Sequence, residues 1–356
     1  MPNPELGWEH TTQYNLGLDF DVLNHRLSGT IEAYYSDTKR LLLDRSIPAL
    51  TGYINIVDNV GELHNKGLEI TLSSKNIVNK NFTWSTDFSF STNKNAIVSL
   101  VNGKVDMPSQ GLNGWYIGQP LNVFRTYKLD GIWQNTDADK AEIAKWKANG
   151  TTFYVGQYKP VDQNGDYKLT DADKVIQGGT DPKYVLGLTN TFAYKNWELS
   201  FFLYSRIGQK YFASLIPGGS NPTTGFVGYG RHVDDSQFWS PSNPTGKYPQ
   251  PTTATLLAAV TQASYVNDGS FCIVRNISLG YKVPAKILNK INVRSCQIYA
   301  QVMNPFIFGG EVVKSGINPD DTNSWTSTNS VGEASGGTNN NTMMITSFVA
   351  GIRVGF

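Results

Sequence analysis

Apolar side chains recur at every second position in segment after segment of this chain, and that period is met by strands with one greasy face. Tyr14, Leu16, Leu18 and Phe20 alternate with Asn15, Gly17, Asp19 and Asp21, and Leu27, Gly29, Ile31, Ala33 and Tyr35 alternate with Ser28, Thr30, Glu32 and Tyr34. Asn24 and His25 mark the turn between them. Leu68, Ile70 and Leu72 lead through an Asn-rich turn into Phe82, Trp84, Phe88 and Phe90. A third hairpin runs over 184–194, turns at Lys195 and Asn196, and returns through Trp197, Leu199, Phe201 and Leu203. Strands over 270–282 and 293–303 flank Pro284, and a last one, over 343–356, sets Phe348, Ala350, Ile352, Val354 and Phe356 against Val349, Gly351, Arg353 and Gly355.

The composition suits a β-rich chain: 356 residues, 40% hydrophobic, 12% aromatic and only 17% charged. No run approaches the roughly 18 apolar residues of a membrane helix, and the longest apolar stretches, such as the one around Phe201 to Tyr204, are strand-sized. A mean hydropathy of -0.31 is compatible with a membrane barrel, because faces that alternate between lipid and lumen nearly cancel in an average. With 30 basic against 29 acidic residues, charge gives no case for nucleic acid or an anionic membrane surface. Cys272 and Cys296 fall on neighbouring strands, and alternation sends their side chains to opposite faces, which argues against a disulfide. Met1 is followed by Pro2, Asn3 and Pro4 without a basic and apolar leader, so the expectation is an intracellular protein or a fragment.

Connections are of two kinds. Short turns stand at one end of the strands, and long Gly-, Asn-, Ser-, Thr- and Pro-rich segments, at about 41–62, 99–182, 209–269 and 305–342, stand at the other. Compact soluble domains rarely carry several loops of such length, whereas outer-membrane barrels pair short periplasmic turns with long extracellular loops. The strand-like piece over 121–133 then belongs to an extracellular excursion, leaving nine membrane-length strands. With nine antiparallel strands the first and last run the same way and cannot close on each other, so the chain is expected to be part of a larger barrel.

Several segments, in order, resemble the C-terminal part of the SusC/RagA family of TonB-dependent outer-membrane transporters of Bacteroidetes. They include Asn3 to Glu9 before the first strand; Asn59, Val60, Gly61, Glu62 with Asn65, Lys66, Gly67, Leu68, Glu69; and Asp130, Gly131, Ile132, Trp133, Gln134. Further on stand Asp162 to Asp173, Pro182 with Tyr184, Gly187 and Leu188, then Trp239, Pro241, Asn243, Pro244, then Ser270, Phe271, Arg275, Asn276, Ile277, Leu279, Gly280, Tyr281, then Asn304 and Pro305. Terminal Phe356 is similar to the assembly signal of outer-membrane barrels. The resemblance implies an all-β fold, an antiparallel transmembrane β-barrel segment supplying nine strands of a 22-strand barrel. Residues 1–356 would be its C-terminal half, with no plug domain in this chain. It further implies residence in the outer membrane of a Gram-negative, Bacteroidetes-like cell and import of a glycan or peptide nutrient. The implied partners are a SusD-like surface lipoprotein and, through the absent N-terminal region, the TonB complex. A rival reading is a secreted β-sandwich that binds carbohydrate with a calcium-stiffened loop.

The sharpest local motif is Asp162, Asn164, Asp166, Lys168, Thr170 and Asp173, at positions 1, 3, 5, 7, 9 and 12 of an EF-hand-like loop. Oxygens at alternate positions of a curled loop converge on one hard cation, and position 7 lends its backbone carbonyl. The departure is Tyr167, where such loops carry glycine; it needs a positive φ or a different curl. A structural Ca2+ is the expected occupant. Among loop aromatics, Trp133 and Trp239 belong to the family-like motifs and are expected to be structural. Trp115, Tyr116 and Trp325, in Gly- and Asn-rich surroundings, are the candidate ligand contacts. Tyr14, Tyr35, Trp84, Tyr194, Trp197 and Tyr281 fit aromatic girdles at two membrane interfaces. His10, His25, His64 and His232 are scattered, no hydrolase or metalloprotease motif occurs, and no enzyme is expected. Asp137, Asp139 and Glu142 open a short helix, expected over 137–147, as its solvated first turn.

Overall fold

The computed structural model describes residues 3–46, 52, 55–108, 113–213, 237–250, 258–291, 293–320 and 343–355. One antiparallel sheet takes nine strands in chain order: β1 (His10–Val22), β2 (Leu27–Ser46), β3 (Asn55–Val78), β4 (Phe82–Ser99), β5 (Tyr184–Tyr194), β6 (Trp197–Ile207), β7 (Phe271–Lys282), β8 (Ser295–Gly309) and β9 (Ser347–Gly355). All nine expected strands are present. Each pairs with the next, so β1 and β9 have one neighbour apiece, run the same way and leave the sheet open at both edges.

Register explains the alternation. On one face, residues line up in lateral rows: Leu18, Ile31, Ile70, Phe90 and Leu186 form one, and Leu72, Phe88, Leu188, Leu203, Val274 and Phe306 another. Phe82, Tyr194, Trp197 and Tyr281 form a row next to the short turns. These side chains are not covered: Leu16 is 77% and Phe348 81% exposed. A β-sandwich would bury this face against a second sheet, so the rival reading loses its core. The other face is polar, and several of its charges are answered locally. Thr30 Oγ1 donates to Asp19 (2.7 Å), Ser73 Oγ to Asp87 (2.6 Å), and Lys282 pairs with Glu198 (2.8 Å). Gly351 lies there beneath Tyr299, whose ring leaves no room for a Cβ.

Three departures from simple alternation have physical causes. β2 and β3 run on into the stretch expected as a loop at about 41–62, since backbone pairing persists beyond the apolar rows. A bulge at Arg275 reverses the parity of β7. Cys272 is therefore turned to the apolar face along with Cys296, correcting the expectation that they face opposite sides. Both are free, for Cys272 lies opposite Phe308 and Cys296 opposite Val354, near the two ends of β8. Finally, Asn190 sits on the apolar face, 8% exposed, and its Oδ1 accepts hydrogen bonds from Trp84 Nε1 (2.9 Å) and Thr86 Oγ1 (2.8 Å), which satisfies a polar group among apolar neighbours.

The short turns concentrate backbone strain: Leu23, Asn24 and His25, between β1 and β2, and Lys195, between β5 and β6, all take positive φ. Phe356 and Trp325 lie outside the described residues.

Candidate functional site

Long connections are where a rigid sheet can carry a site, and here they fold into a packed module. The connection from β4 to β5 contributes two small sheets, one of Asn113–Gly114, Val123–Tyr127 and Lys174–Gly179, the other of Leu129–Ile132 and Tyr158–Pro160. Between them runs the helix Asp137–Ala148, capped by Thr136 and carrying Lys145 and Lys147 in its last turn. Trp133 and Trp146, both fully buried, pack with Phe153, Tyr127, Val260 and Ala263. Trp146 meets Phe153 edge-on at 5.3 Å and Tyr167 at 5.9 Å between ring centroids.

Of the helix's acids, Asp137 is exposed as expected, while Asp139 and Glu142 are half-buried. Lys159, over the Trp133 ring at 4.4 Å, binds Asp139 (3.1 Å) and Glu142 (2.8 Å), and Asp139 also accepts from Gln134 N (2.7 Å). A desolvated ammonium on an aromatic face recruits carboxylates to it. Trp239, from the connection between β6 and β7, docks on this module: its Nε1 donates to Gln134 Oε1 (2.8 Å), and its ring packs on Gly156, where a Cβ would come within 2.8 Å of it. Trp133 and Trp239 are thus packing residues, as their motifs implied. A second core joins Tyr211, Phe238, Tyr248, Val312 and Ile317.

The predicted ligand contacts divide. Trp115 is half-buried in a β-bridge to Met107. Tyr116 is 6% exposed beneath Arg125, which is itself held by Asp171 at 2.7 Å. Burial works against ionisation of Asp171, yet hydrogen bonds from Arg125 and Lys174 hold its carboxyl below the usual range. In the EF-hand-like loop Tyr167 does take a positive φ, +55°, and Gly165 takes +80°. Asp162 accepts from Gly165 N (2.7 Å) and Tyr167 N (2.8 Å). Asp166 accepts from Lys168 N (2.7 Å), and the fully buried Asp173 accepts from Gln163 N (3.0 Å) and Thr170 N (2.9 Å). The curl turns on the left-handed Gly165 and Tyr167. Its carboxylates are not drawn together: among the described residues only Asp37, Glu62 and His64 bring three such ligand atoms within 4.8 Å of one another.

Sequence reasoning did not find the cleft where these connections meet. It has a volume of about 420 Å³ and is bordered by Lys128, Tyr158, Gln177, Tyr248, Asn267 and Glu311, contributed by the chain before, between and after β5 to β8. No local motif signals such a set. Tyr248 donates to Glu311 (3.2 Å), and burial together with Glu311 pushes its hydroxyl upward; burial pushes Tyr158 up to about 12. The Tyr248 proton is thus committed to Glu311, and both phenol oxygens stand among amides and the charged Lys128, Lys247 and Glu311 on the cleft's border. A second concavity, of about 410 Å³, lies on the polar face of the sheet, lined by Gln13, Asn15, Glu32, Tyr34, Asn65 and Glu69 among others. A third, of about 470 Å³, has Lys94, Lys183, Lys210 and Asp181 on its border.

The model of a family described as TonB dependent receptor-like, beta-barrel, matches residues 1–304. TonB-dependent receptor P3 of Formosa agariphila is 30% identical over 324 residues, 86% of this chain and 30% of its own length. TonB-dependent receptor SusC of Bacteroides thetaiotaomicron is 29% identical over 343 residues, 89% of this chain and 31% of its own. Among solved structures, the RagAB peptide transporter aligns over 99% of this chain and 36% of its own, with a TM-score of 0.74 at 20% identity. The chain thus spans about a third of the length of the curated relatives it matches.

Proposed function

The chain belongs to the TonB-dependent receptor β-barrel family of the outer membrane, and from that premise we propose that it forms wall and ligand-facing loops of an importer for a glycan or peptide nutrient. The observation that carries this reading is the loop module itself: it is built on its own aromatic cores and borders a cleft where phenols and amides stand beside Lys128, Lys247 and Glu311. Hydroxyl-rich or amide-rich ligands suit such a surface, since its amides both donate and accept and its phenol oxygens accept. Aromatic rings beside them supply apolar faces for sugar rings or peptide side chains. The RagAB peptide transporter, which shares the fold, has peptide in its name and so supports the peptide class. A SusD-like lipoprotein over the loops, and TonB coupling through sequence outside this chain, complete the proposal; the chain has no part in catalysis.

The test uses the full-length protein in detergent with panels of oligosaccharides and short peptides. Saturable binding of one class is expected, weakened about tenfold or more when Tyr158 and Tyr248 are both replaced by Phe, as buried ligand partners are lost. Unchanged affinity would remove the cleft from ligand contact, and binding of neither class by the parent protein would sink the importer reading.

For the loop from Asp162 to Asp173 we propose a structural calcium ion held by Asp162, Asn164, Asp166, the Lys168 carbonyl, Thr170 and Asp173. The left-handed Tyr167 supports this, because it makes the curl that glycine ordinarily makes. An ion would draw the carboxylates inward. Calcium is expected to slow proteolysis of this loop several-fold, and D162A/D166A should abolish that effect; equal cleavage with Ca2+ and with chelator in the parent protein would count against the ion.

A further inference from the structure

The apolar face of the wall carries two like charges side by side. Lys66 on β3 stands directly opposite Lys94 on β4, in the lateral row that also holds Tyr35 and Tyr14. Both lysines are exposed. Directly opposed like charges destabilise a strand pair unless something answers them. The acids in the rows beyond, Asp37 and Glu62, are already engaged by Lys39 and His64. Neither Lys66 nor Lys94 makes an ion pair among the described residues.

Depth narrows what could answer the charge. The row of Phe82, Tyr194, Trp197 and Tyr281 marks the girdle beside the short turns. From Phe82, Lys94 lies twelve residues along β4. That is about 40 Å of strand, or about 30 Å of height at a tilt of about 40°. The lipid-facing band of such barrels is about 25 Å tall between its two girdles. Lys66 and Lys94 therefore stand at the second girdle, on the long-loop side. A lysine there lays its stem on apolar surface and lifts its ammonium to the headgroups.

We propose that Lys66 and Lys94 form a binding site for the phosphate of an anionic lipid of the outer leaflet. The two ammonium groups share one phosphate, which cancels their repulsion. Acyl chains then lie along the apolar rows below, Leu16, Ala33 and Leu68, then Leu18, Ile31 and Ile70, of which Leu16, Ala33 and Leu18 are exposed. Those rows favour a lipid over free phosphate, which two exposed lysines alone hold weakly. Lys94 also borders the cavity of about 470 Å³, together with Asp181, Lys183 and Lys210.

The test is native mass spectrometry of the full-length protein in detergent, with bisphosphorylated lipid A, its dephosphorylated form and inorganic phosphate as probes. Relative to the parent, K66Q/K94Q should retain bisphosphorylated lipid A about tenfold less. K66R/K94R should retain it, and K80Q/K195Q, at the short-turn end, should be unaffected. Dephosphorylated lipid should not distinguish parent from K66Q/K94Q. Heat-modifiable mobility establishes that each variant has assembled. Equal retention by parent and K66Q/K94Q would overturn the proposal, as would displacement of the lipid by millimolar inorganic phosphate or loss of binding in K66R/K94R.

Discussion

Replacing Trp146 by alanine is expected to melt the loop module while leaving the barrel wall assembled. The side chain is fully buried, touches Phe153 and Tyr167 edge-on, and anchors the helix Asp137–Ala148 to the core that Trp133 and Val260 complete. Deleting so large an aromatic costs about 3–5 kcal/mol, which exceeds what a peripheral module of small sheets can absorb. W146F is the informative control. Trp146 Nε1 has no acceptor among the described residues, so the phenyl ring gives up volume without stranding a partner. Limited proteolysis of the full-length protein should cut W146A within the β4 to β5 connection and spare W146F. Heat-modifiable mobility should be unchanged in both. If W146A leaves the loops as resistant as the parent, the aromatic core is not what holds the module together.

Arginine at Leu188 is expected to cost about 2–4 kcal/mol of barrel stability, the penalty for a cationic side chain facing mid-bilayer. The position follows from the register: Leu188 sits beside Phe88, midway along β4 between Phe82 and Lys94, and beside Leu203. Its neighbour Thr189 points to the opposite face, next to Asp87 and Phe202. Arginine there gains an acidic neighbour in a polar environment and should be close to neutral. Urea titration of the folded, heat-modifiable band in lipid vesicles measures both. A destabilised T189R beside an unaffected L188R would invert the assignment of faces.

The wall was legible because lipid and lumen impose a period of two, and nothing else in the sequence competes with it. Legibility ended where that pressure ended. In the upper parts of β2 and β3, Asp37 opposes His64 and Lys39 opposes Glu62, so the apolar signal is gone while the backbone ladder continues. The bulge at Arg275 was invisible for a related reason: one extra residue reverses parity without changing composition, and it took Cys272 to the other face. In the loops, the curl over Asp162 to Asp173 could be read, Tyr167 included, because its residues are adjacent in sequence. The cleft of Lys128, Tyr158, Gln177, Tyr248 and Glu311 could not, since only packing around Trp133, Trp146 and Trp239 gathers residues so far apart.

The open edges of the sheet also govern where the wall is stable. β9 is paired on one side from Ser347 to Gly355, and the N–H and C=O groups on its other side await partners. Water can satisfy them, but hydrocarbon cannot, at a cost of several kcal/mol for each group left unmet. A wall of this kind is therefore stable in hydrocarbon only when the strands at both of its edges are paired.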